Sequence, residues 1–513
     1  MKYQSIYSRS YQSTRGQESE QCESRGRDPH RCPARRTVDL LLQPVYGPGL
    51  HVTACESSTS LANRPDPVFA ILHRRATRQV HVFQQAGPCG DHASLIGSLD
   101  IRCVSRTEMM ELDKLKNWSN AIYCASGYLR PPTHMLQQPG YVLPLVDYYS
   151  AHVGLLPFAC TPYMSHHSFY GYLCAQAAVY LALEMMLPLG AIPHSPATLT
   201  HIASMLGTRD HGPRPQAWLC ADHKHEKFGG RDGYFCRGLD SNEIGALLSD
   251  GELGTRGLTQ DFALDGTAAN RLVGIHLSSM LLSRIPVIAL VEYNTMAEGL
   301  GHTSVFPQPE GHVITIIGLS VPASGELGVV FHDGHLGPYR EMSMECLLAA
   351  CRAFPNEKRQ AEQAILLLSP FPTDVNPQGY QRVFREATTV PEADVTVRLT
   401  SSQTLDQYLT RFTPGHKFFR SVSKLVVKTP GSDRPLWAVE YRLRRTQGIY
   451  VDLIDATTDN PESRIGIVCL GSQPLKDCWW YVPAPEQMAS IEKWFVNEVD
   501  GVKEKNGTKI ERE

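Results

Sequence analysis

The run Gly171-Tyr-Leu-Cys-Ala-Gln-Ala-Ala-Val-Tyr-Leu-Ala-Leu-Glu-Met-Met186 most constrains what this chain can fold into. From Cys174 onward it is alanine-rich and largely apolar, which predicts a buried helix opening out of a loop at the cysteine. Ala175, Ala177, Ala178 and Ala182 are small enough to let neighbouring backbone approach closely. A thiol at a helix N-terminus feels unpaired N–H groups and the positive end of the helix dipole, and both favour the thiolate. The thiolate is the nucleophilic form of cysteine, so the position suits an attacking sulfur. The alternative reading is a buried cysteine that fills core volume.

Two apolar, β-branched runs lie about 140 residues downstream, Gly311–Leu319 and Gly328–Asp333, separated by the turn-like stretch Ser320–Leu327. Both are predicted as buried strands. His312 opens the first strand and Asp333 closes the second, so an antiparallel hairpin brings the two to one edge of the sheet. A thiol, an imidazole and a carboxylate that orients it are the nucleophile, base and orienter of acyl transfer. Taken singly, His312 also fits a satisfied strand-end histidine, and Asp333 a turn former before Gly334.

The helix opening Cys174-Ala-x-Ala, the run Pro286–Val291, Gly311-His312 with its strand, and the strand end Phe331-His-Asp333-Gly334 together resemble the papain-like cysteine peptidase fold. The resemblance is nearest to peptidase C39-like domains and spans residues 156–370. It implies an α+β catalytic domain with Cys174, His312 and Asp333 as catalytic residues, acting without a cofactor on a peptide or protein substrate. The chain departs from the family at one point. The family carries a glutamine a few residues before the cysteine, as an oxyanion donor, whereas Tyr163–Tyr172 contains none. Ser168 or His167 are the candidates to replace it, with Tyr170 as a further neighbour and the Cys174 backbone N–H as the second donor. The resemblance also implies that Asp333→Asn is tolerated better than Cys174→Ala, because Asn can orient an imidazole in such sites.

At 513 residues the chain is too long for one compact core. The expected organisation is a disordered tail (1–36), a mixed α/β domain (37–155), the papain-like domain (156–370), an α+β domain (371–500) and a mobile charged tail (501–513). The first tail is rich in Ser, Arg, Gln and Glu and too poor in aliphatic residues to order itself. Strands are predicted at Val38–Val45, Val68–Leu72, Gln79–Phe83 and Ala121–Ala125, with a helix at Thr107–Lys116. Helices are predicted at Ser195–Leu206 and Ser241–Leu248, each with a serine cap. Further strands are predicted at Val395–Leu399, Lys424–Lys428, Leu436–Arg442, Gly448–Ile454 and Ile465–Leu470, and a closing helix at Ala484–Val496.

A net charge of −3 gives no basis for bulk binding to nucleic acid or anionic membrane. The first ten residues lack an apolar core, no apolar run is long enough to span a bilayer, and the fourteen cysteines are expected as reduced thiols; the expectation is a cytoplasmic protein. Cys220, His223, His225 and Cys236 could in principle make a tetrahedral zinc set, but their spacing fits no standard finger and a polar surface loop is the expectation, so no metal is assigned. No Walker loop, dinucleotide glycine fingerprint or HExxH motif is present. Two function classes remain. One is a thiol hydrolase cleaving a peptide, isopeptide or amide, with acyl transfer or deamidation as chemical variants. The other is a weak or inactive papain-like binding module, with protein partners met through the flanking domains.

Overall fold

The structure is a computed structural model; it describes residues 41–48, 50–54, 78–84, 94–103, 123–138, 140–150, 157–165, 174–186, 241–249, 254–263, 266–302, 311–321, 327–354, 364–389, 393–401, 435–443, 449–460 and 464–470. By residue number they divide into two units, one of 1–270 with 284–372 and one of 271–283 with 373–513. Both mix helices with antiparallel sheets, so the fold class is α+β.

The first unit holds two sheets. One contains β1 (Leu50–Ala54), β2 (Arg78–Gln84), β3 (Ser94–Cys103), β4 (Tyr123–Leu129), β6 (Asp147–Ser150) and β7 (Pro157–Ser165), in the order β1-β2-β3-β4-β7-β6. The other contains β8 (Thr255–Ala263), β9 (Val287–Glu292), β10 (Gly311–Ser320), β11 (Gly328–Asp333), β12 (Gly337–Ser343) and β13 (Ala364–Pro372), in the order β12-β11-β10-β9-β13-β8. The short β5 (Tyr141–Val142) adds to β10. This second sheet carries the core. From His312 to Ser320 every residue of β10 is buried, as is all of β9 and β11, which is the pattern of strands covered on both faces.

Helices supply that cover. α3 (Cys174–Met186), α4 (Ser241–Leu248), α6 (Tyr293–Gly299) and α7 (Met344–Arg352) pack on its strands; the other helices are α1 (residues 41–46), α2 (Thr133–Gln137), α5 (Gly266–Leu282) and, in the second unit, α8 (Pro377–Thr388). The alanines of α3 are buried, and the helix packs against β10, β7 and β9. Contact is close enough for the Thr315 hydroxyl to reach the Ala178 carbonyl at 3.5 Å. Starts of α6, α7 and α8 are fixed by side-chain caps from Glu292, Ser343 and Asn376, each accepting backbone N–H groups of the first turn.

In the second unit, β14 (Ala393–Ser401), β15 (Pro435–Leu443), β16 (Ile449–Asp455) and β17 (Arg464–Leu470) form one antiparallel sheet. The part of α5 from Arg271 belongs to this unit: Ser279 and Ser283 hydroxyls accept the N–H groups of Val397 and Leu399 at 3.0 and 2.7 Å. Tyr380 of α8 packs on the buried Trp437 of β15.

The helices at 174–186 and 241–248 and the strands near 79–83, 311–320, 328–333, 395–399, 436–442, 449–455 and 465–470 lie where the sequence predicts them. The strand expected at Ala121–Ala125 runs instead from Tyr123 to Leu129. The strand expected at Val38–Val45 is the helix α1 over its described residues. A short apolar run fits either state; here Leu41, Leu42 and Tyr46 are buried together and Gly47, at φ 79°, closes the helix by donating to the Gln43 carbonyl. The domain boundary expected at 155/156 falls between β6 and β7, two strands that pair with each other. Expected elements at 68–72, 107–116, 195–206, 424–428 and 484–496, and both tails, lie outside the described residues.

Candidate active site

Cys174 is the first residue of α3 and is buried, at 8% exposure. The helix lies along β10, whose second residue is His312, so sulfur and imidazole meet where helix and strand both begin. Cys174 is near enough to act on the His312 ring, where it favours the protonated imidazole. Asp333 ends β11, the hairpin partner of β10, and its Oδ2 lies 2.5 Å from His312 Nε2. With Nε2 engaged by the carboxylate, Nδ1 is the ring nitrogen left for the thiol. The structure thus brings together the three residues that the sequence singles out.

Asp333 is held by its own turn. Its Oδ1 accepts the backbone N–H groups of His335 and Leu336 at 2.7 and 2.5 Å. Three N–H donors therefore converge on one carboxylate. That convergence bears on the expectation that asparagine here weakens activity less than loss of Cys174 does. Asn can keep its one acceptor oxygen for the two backbone donors, but it then presents an amide NH2 donor where Oδ2 accepts, so it meets only a His312 ring whose Nε2 carries no proton.

The electrostatics follow from that convergence. Burial pulls the His312 imidazole down, but the Asp333 charge and hydrogen bond, helped by Cys174, push it up to about 10. Burial raises Asp333, yet the His312 charge and hydrogen bond, then His335 and the Leu336 N–H, hold it well below the usual carboxylate range. The ring of Tyr293 meets His312 edge-on at 5.1 Å, and His335 lies tilted against it at 5.3 Å. Burial and the Asp333 charge push the Tyr293 and Tyr163 phenols above their usual range. Arg340, half-buried, feels the charge of Asp333 and donates to His302 Nε2 at 2.8 Å.

The candidate oxyanion donors Ser168 and His167, and the neighbouring Tyr170, lie outside the described residues, as do Cys220, His223, His225 and Cys236. Among the described residues no group of three or more His, Cys, Asp or Glu side chains could hold a metal ion. Cys174, Cys346 and Cys351 are free thiols, and among the described residues no helix is long and apolar enough to cross a membrane.

Sequence reasoning missed the contribution of Tyr163 and Ser165. The segment before Cys174 reads as a loop, yet Tyr163–Ser165 end strand β7. The Tyr163 hydroxyl donates to the Asp333 carbonyl at 3.1 Å and Ser165 Oγ to the Gly334 carbonyl at 3.0 Å. The alternation Thr161-x-Tyr163-x-Ser165 was the available signal: three hydroxyls on one face of an otherwise apolar strand. His335 and Tyr293, which flank the His312 ring, carried no comparable signal.

No protein-family model matches the sequence, and a search of curated proteins finds no relative of it.

Proposed function

We propose that the chain is a thiol hydrolase of papain-like fold, nearest to C39-like peptidases, that cleaves a peptide, isopeptide or amide bond through Cys174, His312 and Asp333. The observation that carries the proposal is the juxtaposition of a helix-opening thiol with a buried imidazole that is hydrogen-bonded to a buried carboxylate. An imidazole kept protonated by Asp333 is the partner that stabilises a neighbouring thiolate.

In the reaction, Cys174 Sγ attacks the substrate carbonyl carbon and the carbonyl oxygen becomes an oxyanion. The Cys174 backbone N–H, one of the unpaired donors of the first turn of α3, meets that charge. His312 passes its proton to the leaving nitrogen as the C–N bond breaks, giving a thioester. Water then attacks, yielding its proton to His312, and the C–S bond breaks to release the acid and the thiolate. Asp333 keeps the ring oriented and its positive charge favoured throughout.

The test is selective chemistry at one sulfur. Cys174 should react with iodoacetamide at neutral pH well ahead of the other thiols, and hydrolysis of a peptide and isopeptide library should vanish in Cys174→Ala. Uniform labelling of many cysteines, with no cleavage of any library member, would leave a binding module in its place.

A further inference from the structure

We infer that β7 is the positioning strand of the thiol site: the hydroxyls of Thr161, Tyr163 and Ser165 hold the 332–334 corner and so aim the Asp333 carboxylate at His312. This rests on the thiol-hydrolase reading of Cys174, His312 and Asp333.

β7 belongs to the six-stranded sheet, not to the sheet that carries His312 and Asp333. Alternate residues of a strand share a face, so Thr161, Tyr163 and Ser165 form one row, and all three are buried. The row meets three successive residues. Thr161 Oγ1 lies 2.8 Å from His332 Nε2, the Tyr163 hydroxyl donates to the Asp333 carbonyl, and the Ser165 hydroxyl donates to the Gly334 carbonyl.

The first of these bonds has a fixed direction. The Tyr339 N–H donates to His332 Nδ1 at 3.1 Å, so the ring proton sits on Nε2 and is given to Thr161. The Tyr339 hydroxyl donates to the Leu129 carbonyl at 2.5 Å, so its oxygen takes the Thr161 proton at 2.6 Å. A neutral His332 is thereby locked to β7 on one side and to β12 on the other.

Other contacts do not do this work. The N–H groups of His335 and Leu336 move with the Asp333 turn, so they fix the carboxylate within that turn but not the turn relative to His312. The register of β10 with β11 runs only to the Thr315–His332 pair, and that of β11 with β12 slips between Phe331 and Asp333. The corner that carries Asp333 therefore lies past the regular ladder on the His312 side, and β7 is what grips it. The same strand ends at Ser165, and the chain reaches the nucleophile nine residues on, at Cys174.

The experiment follows iodoacetamide alkylation of Cys174 in the full chain by peptide mass spectrometry, from about pH 5 to about pH 9, in wild type, Tyr163→Phe and Ser165→Ala. With the corner loosened, the His312 cation loses support. Alkylation near pH 6 falls about three- to tenfold in both variants, and the shape of the pH profile changes with it. A Tyr380→Phe control, which removes a buried phenol from the second unit, lowers stability and leaves the profile in place. Variants that are folded by circular dichroism yet follow the wild-type curve would overturn the inference. Should Tyr163→Phe not fold, Ser165→Ala, the smaller change, decides alone. A wild-type Cys174 no more reactive than Cys346 fails at the first arm and removes the thiol-site reading itself, together with this inference.

Discussion

Two adjacent strands of one hairpin each bury a histidine, and the two rings end in opposite charge states. His312 on β10 is pushed up to about 10, whereas His332 on β11 is pulled down to about 3. Both are almost fully buried, at 4% and 1% exposure, so desolvation opposes the cation in each. The partner decides. His312 faces a carboxylate that three N–H donors keep ionised; His332 faces a hydroxyl and a backbone N–H, neither of which rewards a positive ring. His276 in the second unit repeats the neutral case, with the Tyr380 hydroxyl 2.9 Å from Nδ1, and it too falls to about 3. Burial makes a histidine sensitive to its neighbour; it does not by itself say which form will be held.

Removing the carboxylate breaks the comparison most severely. In Asp333→Asn the His312 ring should drift toward the neutral state of His332, and iodoacetamide labelling of Cys174 at neutral pH should fall by about a hundredfold or more. Cys174→Ala should abolish turnover while shifting the urea unfolding free energy by about 1 kcal/mol or less. A loss of several kcal/mol there would make the cysteine a packing residue instead.

His332→Leu tests the neutral side. It strands the Tyr339 N–H and disrupts the Thr161 hydroxyl, and should cost about 2–4 kcal/mol in urea unfolding. His276→Leu removes one partner from Tyr380 and should cost less, about 1–2 kcal/mol.

The smallest effect is the slope of stability with pH, and its sign separates the two kinds of histidine. His332 and His276 have folded values below the ordinary 6.5, so their contribution is present above about 6.5 and lost as pH falls toward about 3. His312 has a folded value above 6.5, so its contribution is present below about 6.5 and lost as pH rises through about 10. Urea midpoints should decline on both sides. His276→Leu should flatten the acid side by at most one proton, about 1.4 kcal/mol per pH unit.

The triad was legible because each member sits at the end of an element with a strong apolar signature: Cys174 at the head of an alanine-rich helix, His312 and Asp333 at the ends of β-branched runs. Contact between them then follows from antiparallel pairing. Among the helices that went unread, two carry signals in the sequence. In α5, Val273, His276, Leu277, Met280 and Leu281 are buried at helical spacing, but Gly274, Ser278 and Ser279 dilute the stripe. In α8, Asn376 caps and Pro377 takes the first turn, ahead of Tyr380, Val383, Phe384 and Ala387 on the buried side. What the sequence could not convey is the role of β7. The alternation of Thr161, Tyr163 and Ser165 marks one strand face, but their partners are carbonyl and imidazole groups about 170 residues away, and no local pattern names those partners.

The division of α5 between the units bears on the order in which the chain can fold. Of the second unit, synthesis delivers residues 271–283 first, then about ninety residues of the first unit, and only afterwards the strand β14 whose N–H groups Ser279 and Ser283 receive. Closing that interval has an entropic cost that grows slowly with its length, and the cost falls sharply once the intervening segment is compact. The first unit is thus the scaffold that brings the two parts of the second together. A ribosome-bound chain halted before β14 emerges would hold the thiol, imidazole and carboxylate already, while Ser279 and Ser283 still waited for their strand.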